Sequence, residues 1–182
     1  MAAGKYKIGD YIEKKGKVSG LWFPGVVLRV EGDNIIIKTW GWDDEMEVTS
    51  DILRPLTSDN VVTIRANGSV WAEVDEGGAI RINGSIVGSI SSEEGTIYKN
   101  GSIVGSISFN GVLYKNGSEV GSIWPSGELY REGSIIGEIS NSDGTIRLSG
   151  SIWGNIDNFS YKWRDLRYTS AVLAFFAPEF GY

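Results

Sequence analysis

One unit returns six times between residues 64 and 156, and no other feature constrains the fold as much. Its copies open at Ile64, Ile80, Ile97, Leu113, Leu129 and Ile146; two of them read IYKNGSIVGSI (97–107) and LYREGSIIGEI (129–139). Gly68, Gly84, Gly101, Gly117, Gly133 and Gly150 mark the turns, so the period is 16 or 17 residues. Units this short cannot bury their apolar side chains alone; each must stack on its neighbours. The array is therefore expected to be a scaffold or binding surface and not the wall of a single catalytic pocket.

Local chemistry makes the array all-β. Asn-Gly stands at 67–68, 83–84, 100–101 and 116–117, and both residues tolerate the positive φ of a two-residue hairpin turn. Apolar residues flank the turn, such as Ile97, Tyr98, Ile103, Val104 and Ile107 in the third copy. A second loop of three to five residues follows, as in SSEEG or WPSG. In a flat hairpin Ile97 opposes Val104, and alternation then leaves Ile107 on the wrong face. The glycine recurring at 88, 105, 121, 137 and 154 is expected to form a bulge or corner that returns the last isoleucine to the core. Solenoid-like stacking, or a stack of bent hairpins, is expected in preference to an open or barrel-like meander.

Residues 1–58 lack the repeat. Short alternating stretches at 11–13, 25–30, 34–39 and 45–48, broken by Gly-rich or acidic turns, predict a small, strongly bent antiparallel barrel. The stretch 56–60 (LTSDN) reads as a linker, and the array fills 59–160. In 161–182 a short helix is predicted near 165–176, stopped by Pro178. Its apolar residues Leu166, Ala171, Val172, Phe175 and Phe176 are expected to cap the open end of the array.

Composition narrows the chemistry. The chain has neither cysteine nor histidine, which removes disulfides, thiolate metal sites, His-based triads and the commonest general base. Net charge is −6, only about −1 of it before the linker, with no basic run, so no nucleic-acid partner is expected. No stretch approaches the roughly 20 apolar residues of a membrane span. The first residues lack the apolar run of a signal peptide, and a cytoplasmic location is expected. Asp75-Glu76 and Glu93-Glu94 read as solvated turn charges. No catalytic residue, metal site or cofactor is assigned.

The stretch 8–55 carries an ordered set of elements. Ile8-Gly9-Asp10-Tyr11-Ile12 opens a first strand, and Leu21-Trp22-Phe23-Pro24-Gly25-Val26-Val27 forms a second. Residues 33–38 form a third, followed by Trp40-Gly41-Trp42-Asp43-Asp44; Glu47-Val48 and Ile52-Leu53-Arg54-Pro55 close the set. This pattern resembles the Tudor/Agenet-like branch of SH3-like small barrels. The resemblance implies a binding module in which aromatics and an acidic residue cage a methylated lysine or arginine. A methylated ammonium keeps its charge but is poorly hydrated, so aromatic faces attract it. Trp22, Phe23, Trp40 and Trp42 are the implied cage, with Asp43 and Asp44 as acidic partners. In the other reading of the same residues, Phe23 and one Trp fill the barrel core and Asp43-Asp44 makes a turn. The repeat array is similar to bacterial β-repeat proteins with Gly-Ser-x-[IV]-Gly-x-Ile units.

Within the array a cation follows each opener: Arg65, Arg81, Lys99, Lys115, Arg131 and Arg147. With Tyr98, Tyr114 and Tyr130 beside them, these residues form either a ladder for an acidic polymer or glycan or simply solvated strand faces. The expected protein is all-β and non-enzymatic. Its barrel binds a peptide or protein partner, or a cationic side chain, and its six-copy array is a rigid scaffold. The alternatives are a self-assembling structural protein, with homo-oligomers, and glycan binding along the tyrosines.

Overall fold

The computed structural model describes residues 5–17, 21–39, 44–55, 61–91 and 94–182. The expected linker at 56–60, and Trp40, Trp42 and Asp43, lie outside these residues. The chain divides into two compact units, Met1–Thr57 and Ser58–Tyr182. Both are built of β-strands, and the second carries one α-helix.

The first unit holds β1 (Tyr11–Lys15), β2 (Trp22–Glu31), β3 (Asn34–Thr39), β4 (Met46–Val48) and β5 (Leu53–Pro55). They form one sheet in the order β4-β3-β2-β1-β5, and a 3-10 turn at Ser50–Ile52 leads into β5. The long β2 bends where the register shifts between Val27 and Arg29, leaving Leu28 as the extra residue. Tyr6, Ile12, Val27, Ile35, Ile37, Val48 and Leu53 make the core. The Tyr6 hydroxyl donates to the Leu53 carbonyl at 3.0 Å. Gly25 has to be small: a Cβ there would stand 2.8 Å from the Lys38 carbonyl oxygen and 3.0 Å from Ile12 Cδ1.

The second unit begins with β6 (Val62–Ala66) and β7 (Ser69–Val74), then β8 (Ala79–Ile82) and β9 (Ser85–Ile90), then β10 (Thr96–Lys99) and β11 (Ser102–Ile107). It continues with β12 (Val112–Lys115) and β13 (Ser118–Ile123), β14 (Glu128–Arg131) and β15 (Ser134–Ile139), and β16 (Thr145–Leu148) and β17 (Ser151–Ile156). Each copy is one hairpin. In all six, both turn residues have positive φ, Asn100 at 50° and Gly101 at 81° for example.

The bulge is present, with a different pairing from the flat hairpin. Ile97 faces Gly105 and Tyr98 faces Ile103, so Val104 is the extra residue and the glycine lies beside it. Ile107 then stands two residues beyond Gly105 and returns to the face of Ile97. The openers and the closing residues Val74, Ile90, Ile107, Ile123, Ile139 and Ile156 are all buried.

The expected solenoid is corrected to a ring. β17 pairs with β6 as Ile156↔Ile64, Asn155↔Arg65 and Gly154↔Ala66. The same register joins β7 to β8, as Val74↔Ile80, Glu73↔Arg81 and Ala72↔Ile82. The step from the last copy to the first therefore repeats the step between neighbours, and the twelve strands close into a barrel. Every bulged hairpin adds strand twist and a bend in the same sense. Six identical bends bring the two edges together, whereas a solenoid would leave them apart.

The expected cap is corrected to a plug. The helix α1 (Trp163–Phe176) packs on β6, β11 and β13. In the ring β6 stands five strands from β11 one way round and five from β13 the other. A helix that touches both sides lies in the lumen. Its burial agrees: Thr169 and Ser170 are as buried as Leu166, Ala171, Val172 and Leu173. The physical reason is width. About eight strands leave an interior that side chains alone can fill, and the diameter grows with strand number, so twelve strands leave room for a helix. None of the helices among the described residues is long and apolar enough to cross a membrane.

Candidate functional site

In the first unit, Trp22 and Phe23 open β2 opposite Lys15 and Lys14 of β1, and strand alternation sends the two aromatics to opposite faces of the sheet. Both aromatics are half-buried, and Asp44 is exposed. Trp22 has a cation of its own. The Arg54 guanidinium carbon lies 4.1 Å from the Trp22 ring centroid, and Arg54 Nε donates to Glu13 Oε2 at 2.5 Å. Glu13 is only 1% exposed. A carboxylate and an indole face are the parts of a cation-binding site, and here the protein's own arginine occupies it. The sequence pattern pointed to Trp22 but not to Glu13 or Arg54. They meet only because β1 lies between β2 and β5, with Glu13 directly facing Arg54.

In the barrel, the expected single ladder of cations splits in two. Arg65, Arg81 and Arg147 stand one residue after their openers, as do Tyr98, Tyr114 and Tyr130. Lys99, Lys115 and Arg131 stand two after, and alternation sends them to the other face. Lys99 Nζ donates to the Phe175 main-chain oxygen at 3.3 Å, and Lys115 Nζ to that of Tyr182 at 3.2 Å. Arg131 Nη1 donates to the Phe180 oxygen at 2.8 Å. These three cations hold the last turn of the plug and the chain that follows it.

The other positions sort into two kinds of wall. Arg147 pairs with Glu138 at 2.9 Å, Arg81 with Asp75 at 2.9 Å, and Arg65 with Asp157 at 2.7 Å. Arg81 and the Ala79 amide hold the Asp75 carboxyl below the usual carboxylate range. Tyr98, Tyr114 and Tyr130 instead face Ser89, Ser106 and Ser122 on the preceding hairpin. Three consecutive hairpins are thus tyrosine–serine, and the remaining three carry ion-paired arginines. Trp124, 43% exposed, lies 5.1 Å from Tyr130 and extends the aromatic sector. A groove of about 500 Å³ lies between the second and third hairpins, lined by Ile86, Val87, Ser89, Tyr98 and Asn100. Because the wall is closed, successive tyrosines point a sixth of a turn apart and not along one flat face.

Tyr182 is the most perturbed titrating group at this end of the barrel. Its hydroxyl donates to the Tyr130 carbonyl at 2.8 Å. Burial pushes its phenol up to about 12, with Arg131 pulling weakly the other way. The folded value is above the unfolded value of about 10, so its contribution to stability is complete below pH ~10 and is lost as pH rises toward 12. An alkaline absorbance titration is expected to show one of the eight tyrosines ionising near pH 12, and Tyr182→Phe to remove that step. A Tyr182→Phe curve identical to wild type would refute the assignment.

Comparison of the chain with family models, characterised proteins and solved structures returns no match. The class is therefore set by the architecture: an all-β chain with a five-stranded unit and a plugged twelve-stranded repeat barrel.

Proposed function

We propose that this is a non-catalytic interaction protein whose first unit docks a peptide and whose repeat barrel is a rigid scaffold. The observation that carries the reading is the plug. The lumen is the largest enclosed space such a barrel can offer a ligand, and α1 fills it, which leaves recognition to the outer surfaces. For the first unit, the strand order β4-β3-β2-β1-β5 with a 3-10 turn before β5 supports the Tudor/SH3-like small-barrel assignment. Arg54 over Trp22 favours a peptide ligand over a methylated cation seated on that indole.

The test begins by selecting peptides from a random displayed library against the whole chain. The best binder is then mapped by NMR chemical-shift changes. Shifts confined to residues 5–55 are expected. Shifts only in 61–182, or no selected peptide, would sink the proposal. A trimethyl-lysine peptide run alongside is expected to leave the Trp22 indole signal unmoved.

A second reading, self-assembly, rests on one observation. Val70, Ile86, Ile103, Ile135 and Ile152 recur at one level of the barrel and are 40% to 71% exposed. In this reading they are covered by neighbouring copies. Light scattering over a concentration range separates the two: the docking reading expects a monomer, the assembly reading a defined oligomer.

A further inference from the structure

The six junctions between neighbouring hairpins share one design, so each serves as a control for the others. At β9·β10 the pairs are Ile97↔Ile90, Tyr98↔Ser89 and Lys99↔Gly88, and the Asn100 amide then donates to the Val87 carbonyl at 2.9 Å. Equivalent triplets join β7 to β8, β13 to β14, β15 to β16 and β17 to β6. The junction β11·β12 is the exception. It keeps Ile107↔Leu113 and Ser106↔Tyr114 only. Gly105↔Lys115, the third pair at every other junction, is missing. The bond from the Asn116 amide to the Val104 carbonyl is missing with it, and its counterpart from Asn67 is missing at β17·β6, where the triplet of pairs is complete.

The approach of neighbouring hairpins at the repeat glycine is common to the junctions. A Cβ built on the repeat glycine probes how closely the next hairpin approaches. At Gly88, Gly121, Gly137 and Gly154 it would lie 2.0 to 2.2 Å from the neighbouring carbonyl oxygen; at Gly105 the distance is 2.4 Å. The close approach at the glycine is thus kept at all five junctions, and at β11·β12 it is the ladder that stops short.

The plug is fastened along this same junction. At one end Arg167 Nη2 donates to the Ile107 carbonyl at 2.6 Å and Nε to that of Ser108 at 2.9 Å. Trp163 Nε1 donates to the Phe109 carbonyl at 2.9 Å. At the other end the Phe175 ring lies against Gly105, so that a Cβ there would meet Phe175 Cζ at 2.3 Å. Lys115, which lacks its pair across the junction, sends its ammonium to the Tyr182 oxygen. Both strands of the junction are thus tied to the plug segment as well as to each other.

We infer that β11·β12 is the opening seam of the barrel, and that the plug segment is the batten that holds it shut. Contacts from α1 and residues 175–182 replace the missing ladder bonds there. Loosening the segment therefore opens this junction before the others. The seam is the way by which the lumen becomes accessible without unfolding of the ring.

The test is amide hydrogen exchange on the whole chain, read residue by residue by NMR. The Asn116 amide is expected to exchange at least tenfold faster than its counterparts Asn83, Asn100 and Ser149. Lys115→Ala, a change at an exposed side chain, is expected to speed exchange of Leu113, Tyr114 and Asn116 by about tenfold. The amides of β15·β16 should keep their rates. Phe175→Ala is the second, larger perturbation and should act at the same amides. Equal protection of Asn116 and its counterparts would overturn the inference. So would an acceleration in both variants that spreads evenly over all six junctions.

Discussion

Deleting residues 161–182 is expected to abolish cooperative folding of the twelve-stranded barrel. The segment contributes Trp163, Leu166, Val172, Leu173, Phe176 and Phe180, all buried. At about 1.5–3 kcal/mol for each buried large side chain, their loss is on the order of 10 kcal/mol. That matches the whole stability of a typical domain, about 5–15 kcal/mol. The emptied lumen also leaves the polar ends of the wall without partners, because Arg164, Arg167 and Trp163 satisfy the carbonyls of Asp75, Ile107, Ser108 and Phe109. Circular dichroism and urea titration of the truncated chain should show no sigmoidal transition from the second unit. A truncated chain with a wild-type melting curve would mean that the helix is an accessory and that the wall supports itself.

The second large effect is expected from Gly154→Val. A Cβ at Gly154 would lie 2.0 Å from the Arg65 carbonyl oxygen, a backbone atom of the facing strand. The backbones of β17 and β6 must shift to admit a Cβ, and valine adds two further methyl groups beyond it. Overpacking and the lost ladder together should cost about 3 kcal/mol or more, or roughly 10 °C in melting temperature for a unit of this size. The first copy supplies an internal control, since Ala72 occupies the same repeat position and is buried without disrupting its hairpin. Ala72→Gly should therefore shift stability by only about 1 kcal/mol. If Gly154→Val melts with the wild type, β17 and β6 are not the closing pair.

The local grammar of the fold was readable from sequence because it is local. Asn-Gly turns, alternating strands and the bulge beside Gly105 depend on neighbours a few residues away. Closure was not readable. Whether six bent hairpins climb into a solenoid or return to their start depends on a small bend per copy, and no residue pattern states it. The helix starts two residues before the expected position, and its surroundings are those of a lumen and not of an open end. A signal was present: residues 168–176 carry no charge, and Thr169 and Ser170 would be unusual on a face turned to water yet fit a helix enclosed on all sides. The cations all stand close to the opener, yet a one-residue offset assigns them to opposite faces. In the first unit Trp22 stood out by type, whereas Arg54 and Glu13 come together only through strand order.

A solenoid can gain or lose units and keep its cross-section; a ring cannot. An extra hairpin would enlarge the hoop beyond its filling, and one fewer would pinch it. Length is therefore closed to change in this molecule, and variety has to enter through the outward side chains of panels whose backbones are interchangeable. The existing panels already show this freedom, with Tyr98 facing Ser89 on one side of the hoop and Arg147 facing Glu138 on the other. Six numbered positions on a frame of fixed circumference let this chain be re-addressed one panel at a time, with the plug and the inner isoleucines left as they are.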